Sequence, residues 1–142
     1  GSSDMYNKGG NMLHTLRQLI DNDKKWRSIL RKMNKTFYHQ TVTTAQIEDF
    51  LSSETGFNLG PFFQQYLRGI EIPTLEYKIE ENALKYRWIN VVSNFKMPLK
   101  TILNGEAKWI YPTENWNKII LNSDAHTFVI DSNFYVFNKK VN

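Results

Sequence analysis

Three histidines, His14, His39 and His126, have the widest chemical range in this 142-residue chain, and their spacing does not suit a shared metal ion. Two imidazoles reach one cation from a single helix when they stand at i and i+4, as in a His-Glu-x-x-His pattern, and no such pair occurs. A complete metal site within the chain is therefore not expected. Cysteine is absent, which removes thiolate nucleophiles, Cys-based zinc sites and iron–sulfur clusters together. No Ser lies in a Gly-x-Ser-x-Gly turn, and Gly9-Gly10 is too short to cradle a phosphate. Glu80, Glu81 and Glu114 suggest paired carboxylates, but the first two fall in an expected turn, where charge faces water.

Two surface chemistries remain. Lys24, Lys25, Arg27, Arg31, Lys32 and Lys35 form a basic run, yet most fall opposite Trp26, Ile29, Leu30 and Met33, as on the solvated face of an amphipathic helix. The net charge is +4, divided as +3 up to Ile70 and +1 beyond it, and neither part has the sustained basic excess that phosphate binding requires. No nucleic-acid partner is expected. Trp109, Tyr111 and Trp116 are candidate stacking platforms for a glycan, whereas Trp88 follows the alternation of Leu84 and Tyr86 and belongs to a core.

The elements that must position these groups fall into two parts with different periods. Met12, Leu13, Leu16, Leu19 and Ile20 form one helical stripe, and Asp21-Asn22-Asp23 supplies cap residues for the helix of Trp26 to Phe37. Thr43 with Gln46 is a capping-box pattern ahead of Ile47, Phe50 and Leu51, and Gly56 offers a left-handed stop. Gly60-Pro61 opens a fourth helix that buries Phe62, Phe63, Tyr66 and Leu67. After Pro73 the period is two: Leu75, Tyr77 and Ile79, a turn at Glu80-Glu81-Asn82, then Leu84, Tyr86 and Trp88 read as a hairpin. Further strands are expected over 99–103, 107–111, 116–121, 127–130 and 134–137, with Asn104-Gly105 as a tight turn. The fold class is α+β: an N-terminal helical segment, residues 4–70, followed by a small antiparallel β-sandwich, residues 72–142.

Aromatic residues make up 14% of the chain and hydrophobic residues 41%, enough apolar surface to offset ordering entropy, so the chain is not disordered. No run of about 18 apolar residues exists to span a membrane. Gly1-Ser2-Ser3 reads as an expression remnant, so the natural start and any targeting signal are expected to lie elsewhere.

One series of residues is more specific. Tyr6-Asn7-Lys8-Gly9-Gly10 leads into the first helix, Phe62-Phe63-Gln64-Gln65-Tyr66-Leu67 closes the fourth, and Ile72-Pro73-Thr74-Leu75-Glu76-Tyr77 enters the first strand. This series resembles the zinc aminopeptidases of the alanyl-aminopeptidase (aminopeptidase N-like) family. In that family a Tyr-x-Lys-Gly motif begins a helix of the thermolysin-like catalytic domain, and an Ile-Pro step leads into a small β-sandwich. The resemblance runs over essentially the whole chain in the same order. It implies that Tyr6 donates its hydroxyl to the oxyanion of the tetrahedral intermediate, a role that suits a phenol protonated at neutral pH. Asn7 stands where the family is frequently acidic.

The family's zinc ligands, a His-Glu-x-x-His helix and a downstream Glu, precede Tyr-x-Lys-Gly and have no counterpart here. The resemblance thus implies a C-terminal fragment of a zinc-dependent metallopeptidase that hydrolyses N-terminal peptide bonds. Zinc and the peptide substrate belong to the parent protein, and the isolated chain is expected to bind no zinc and cleave nothing. An exported or periplasmic parent is compatible with this. The helical face that meets the rest of a catalytic domain is expected to favour self-association of the fragment. The alternative is a non-enzymatic sandwich that binds glycan or protein through Trp109, Tyr111 and Trp116.

Overall fold

The computed structural model describes residues 2–122 and 127–142, with side chains described from Lys8 onward. Four helices come first: α1 (Ser2–Ile20), α2 (Asp23–Thr36), α3 (Thr44–Thr55) and α4 (Gly60–Phe63), the last continuing into a π-helical turn over Gln64–Arg68. Their boundaries follow local chemistry. Asp21 adopts φ +51 and breaks the first helix, and the Asn22 side chain then accepts the Lys25 N–H at 3.0 Å to cap the second. At α3 the capping box is complete: the Gln46 N–H donates to Thr43 Oγ1 and the Thr43 N–H to Gln46 Oε1. Gly56 closes α3 at φ +74, a left-handed conformation that costs glycine nothing.

The helix expected to begin after Tyr6-Asn7-Lys8-Gly9-Gly10 instead begins at Ser2 and runs through that motif. Neither Gly9 nor Gly10 has a positive φ, so nothing interrupts the hydrogen-bond ladder there.

Seven strands follow. Five are β1 (Thr74–Glu80), β2 (Ala83–Ile89), β3 (Leu99–Leu103), β4 (Glu106–Ile110) and β5 (Asn117–Ile120), and the last two are β6 (Phe128–Ile130) and β7 (Phe137–Lys140). Both hairpins turn on two left-handed residues, Glu81 and Asn82 at φ +52 and +59, and Asn104 and Gly105 at +51 and +82. Those conformations match the twist of the flanking strands. One sheet has the order β5-β2-β1-β7 and the other β4-β3-β6, with every pair antiparallel except β1–β7. The last strand starts three residues later than its hydrophobic run suggests. Phe134 is buried beneath a turn closed by its N–H to the Asp131 carbonyl, and pairing begins only where the Phe137 N–H meets the Pro73 carbonyl at 2.9 Å.

The architecture is α+β, helices first and then a small β region. One apolar cluster runs through both parts: Leu16, Leu51 and Phe63 from the helices, Leu75, Leu84 and Trp88 from one sheet, Leu99 and Ile110 from the other. The change of period at Pro73 is therefore a change of element type laid over a continuous core. No described helix is long and apolar enough to cross a membrane.

Candidate functional site

Tyr6 lies on the helical backbone of α1, and its side chain is outside the described residues. Two residues on, Lys8 is half-buried and its ammonium donates to the Gly69 carbonyl at 3.4 Å, tying this part of α1 to the end of the π-helical turn. A cleft of about 450 Å³ opens beside that tie, with Lys8 and Asn11 on one side, Gln65 and Tyr66 on another, and Ile70 and Tyr135 at its edges.

The floor of the cleft is held by two residues of the π-helical turn. Gln65 is only 2% exposed, and both its amide nitrogen and its oxygen bond backbone groups. Its Nε2 donates to the Glu71 carbonyl at 2.8 Å and the Asn90 carbonyl at 3.0 Å, and its Oε1 accepts the Val92 N–H at 2.7 Å. Gln65 and Tyr66 are adjacent and both buried in the π-helical turn, and both bond backbone of the β region. The buried Tyr66 hydroxyl donates to the Tyr135 carbonyl at 2.9 Å. Burial pushes its phenol well above the usual range, opposed by the nearby Thr15 hydroxyl, so the group stays a neutral donor. Thr15 Oγ1 in turn accepts the Tyr135 N–H at 3.3 Å. With its proton already committed, Tyr66 positions backbone and does not offer acid–base chemistry.

The other groups singled out from the sequence are dispersed. His14 is exposed on α1, His39 is exposed at φ +56 against the Tyr38 ring, and His126 lies outside the described residues. No three His, Asp or Glu side chains converge among the described residues. Those residues do not fit a zinc ion, and a zinc site would need ligands from elsewhere. Glu80 is paired with Lys85 at 2.6 Å and Lys78 at 3.8 Å; the Lys85 hydrogen bond, then Lys78, holds its carboxyl below the usual range. Glu81 and Glu114 are exposed. The six cations of α2 all face solvent, and Trp26 and Ile29 point inward.

Among the aromatics, Trp88 is buried, with its indole N–H donating to the Met97 carbonyl at 3.2 Å. Trp109 is half-buried edge-on against Phe134, at 5.9 Å between ring centroids. Trp116 is 39% exposed, but the Arg87 guanidinium lies over its ring at 4.5 Å. Tyr111, at 65%, has the most open ring of the three. Two of the three rings proposed to stack on sugar are thus already packed against protein.

Gln65 is the residue that sequence reasoning missed as an organiser. It sits beside Gln64 in a helical run, where a polar residue reads as solvent-facing, and two of its partners, Asn90 and Val92, are 25 and 27 residues away.

No described protein family and no curated protein sequence matches the chain. Among solved structures, the fold is similar to that of Legionella pneumophila aminopeptidase A, determined in complex with aspartic acid, with a TM-score of 0.70 at 14% identity. The match covers 94% of this chain and 17% of that one, so the chain spans about a sixth of the length of the protein it resembles. At this identity the likeness is one of fold: the helices, the step at Pro73 and the two sheets together form an arrangement that also occurs inside an aminopeptidase.

Proposed function

We propose that this chain is part of a zinc-dependent aminopeptidase of the alanyl-aminopeptidase type, comprising the helical end of a thermolysin-like domain, residues 4–70, and a β-sandwich, residues 72–142. The observation that carries this is the extent of the likeness: nearly the whole chain, helices and sheets in one arrangement, superposes on a small part of an aminopeptidase. The order of Tyr6-Asn7-Lys8-Gly9, the Phe62 to Leu67 helix and the Ile72-Pro73 step agrees with it independently. Zinc and the peptide substrate enter as properties of the rest of the enzyme.

The chain's own contribution is the Tyr6 hydroxyl, donating a hydrogen bond to the oxyanion that forms at the scissile carbonyl. A neutral phenol fits this role because it carries a proton at working pH and gains strength as negative charge develops. In the full-length enzyme, Tyr6→Phe should lower kcat by about 100- to 1000-fold with little change in KM, as for removal of one oxyanion donor. A kcat within tenfold of the unmodified enzyme would overturn the assignment. The 142-residue chain alone should cleave no aminoacyl anilide and retain no zinc after dialysis. Stoichiometric retained zinc, or cleavage, would show that the chain carries a complete site.

A further inference from the structure

At the other end of α1, about 20 Å along the helix from Tyr6, a cavity of about 530 Å³ lies where three segments meet. These are the last turn of α1 with Leu19, the α3–α4 connection over residues 57–62, and the β2–β3 connection over residues 94–98. Leu59, Phe62, Phe95 and Met97 form a buried apolar floor. Phe57, 43% exposed, stands at the mouth. The volume falls within the range of small-molecule pockets, and so does the pattern of an apolar lining with a few polar groups.

Those polar groups share a chemical sign. Among the described residues, Lys96 is the one ionised side chain on the lining, and it is exposed and has no ion pair. Lys96 lies between Phe95 and Met97, which are both buried, and is itself exposed on the lining. Asn58 already accepts the Gly60 N–H through Oδ1 at 3.2 Å, which leaves its Nδ2 hydrogens to donate. Asn94, at φ +67, contributes a second amide beside Lys96. Among the described residues on the lining there is no carboxylate.

We propose that this cavity binds a small amphipathic monocarboxylate, with its apolar body on the floor of Leu59, Phe62, Phe95 and Met97 and its carboxylate at Lys96. Net positive charge at the rim and donors on either side favour an anion over a neutral head group, because a charge-assisted hydrogen bond is the stronger contact. A concave pocket of this size suits a single molecule and does not suit a flat lipid surface. The ligand touches helices and β region together, so binding adds its free energy to the folded state of both.

The test is a thermal-shift titration of the 142-residue chain with decanoate, decanol and decylamine below their micellar concentrations. Decanoate should raise Tm saturably and with higher affinity than decanol, and decylamine should be weakest. Lys96→Gln should weaken decanoate about tenfold while leaving decanol unchanged. Lys96 is exposed and makes no ion pair, so the substitution should not disturb folding, and far-UV circular dichroism checks that it has not. No saturable shift, equal affinity for decanoate and decanol, or indifference of decanoate to Lys96→Gln would each overturn the proposal. None of these outcomes bears on Tyr6.

Discussion

Over residues 12–20, α1 is gripped by the rest of the molecule: Met12 and Leu16 are buried in the core, and the Thr15 hydroxyl holds the backbone of Tyr135. One turn earlier, a Cβ added to Gly9 or Gly10 would meet nothing within 4 Å, and the Lys8 ammonium reaches across to the Gly69 carbonyl. Both stretches share one hydrogen-bond ladder, but only the later one is fixed by burial. The difference separates two jobs along a single helix. Residues 12–20 anchor, and the ladder extends that anchorage to the turns that carry Tyr6. Substitutions of the buried residues from Met12 onward should therefore affect stability, and the proposed role of Tyr6 can be tested apart from it.

The largest effect tests the anchor. Leu16→Ala should cost roughly 2–5 kcal/mol in urea unfolding, as for other fully buried leucines, whereas Tyr6→Phe should leave the midpoint unmoved. A cost under about 1 kcal/mol for Leu16→Ala would erase the contrast. Next is the clamp that carries the anchor into the sheets. Gln65→Leu keeps volume but strips partners from the Glu71 and Asn90 carbonyls and the Val92 N–H, and should cost about 2–4 kcal/mol with faster amide exchange at Val92. Unchanged protection at Val92 would show that the clamp is dispensable.

Tyr66 sharpens the comparison through pH. Burial keeps its phenol protonated in the folded chain where the unfolded chain ionises, so above about pH 10 the folded state binds more protons and stability falls as pH rises. Tyr66→Phe should cost about 1 kcal/mol at neutral pH and flatten part of that alkaline slope. Burial raises the Tyr86 phenol in the same direction, so some slope should remain. An alkaline slope identical in both proteins would mean that Tyr66 opens to solvent before it matters. The smallest effect comes from the Gly9-Gly10 turn of α1. Gly10→Ala should raise stability by about 0.5–1 kcal/mol, because the site is helical and the added methyl meets no neighbour. A loss of stability would show that this turn is packed after all.

Much of the fold was legible because it rests on chemistry within a few residues. The Thr43–Gln46 capping box, the Gly56 stop and the Asn104-Gly105 turn all occur where their residue types require them. The β3 limits agree to the residue, since Leu99 and Thr101 point into the core and the strand is bounded by Pro98 and the tight turn. The last strand was misplaced because Phe134 to Phe137 reads as one strand-like run, although of these four only Phe137 pairs with the sheet edge. The π-helical turn left no local signature. Within it, Gln65 bonds backbone groups of Glu71, Asn90 and Val92, the last two 25 and 27 residues away.

The candidate site divides along the same line. Its linear part, Tyr6-Asn7-Lys8-Gly9 ahead of an apolar stripe, was visible as a string of residue types. The cleft beside Lys8, the committed proton of Tyr66 and the cation over Trp116 were not, because each depends on residues brought together from separate elements.

The sequence by itself determined the element types, most of their ends and the break at Pro73, since hydrophobic period, caps and turns act over fewer than about ten residues. Only the tertiary structure decided that helices and sheets share one core, that β7 lies parallel beside β1, and that a lone buried glutamine joins the two parts. Those outcomes arise from burial and from satisfying buried backbone polar groups, and both depend on where the whole chain places its neighbours.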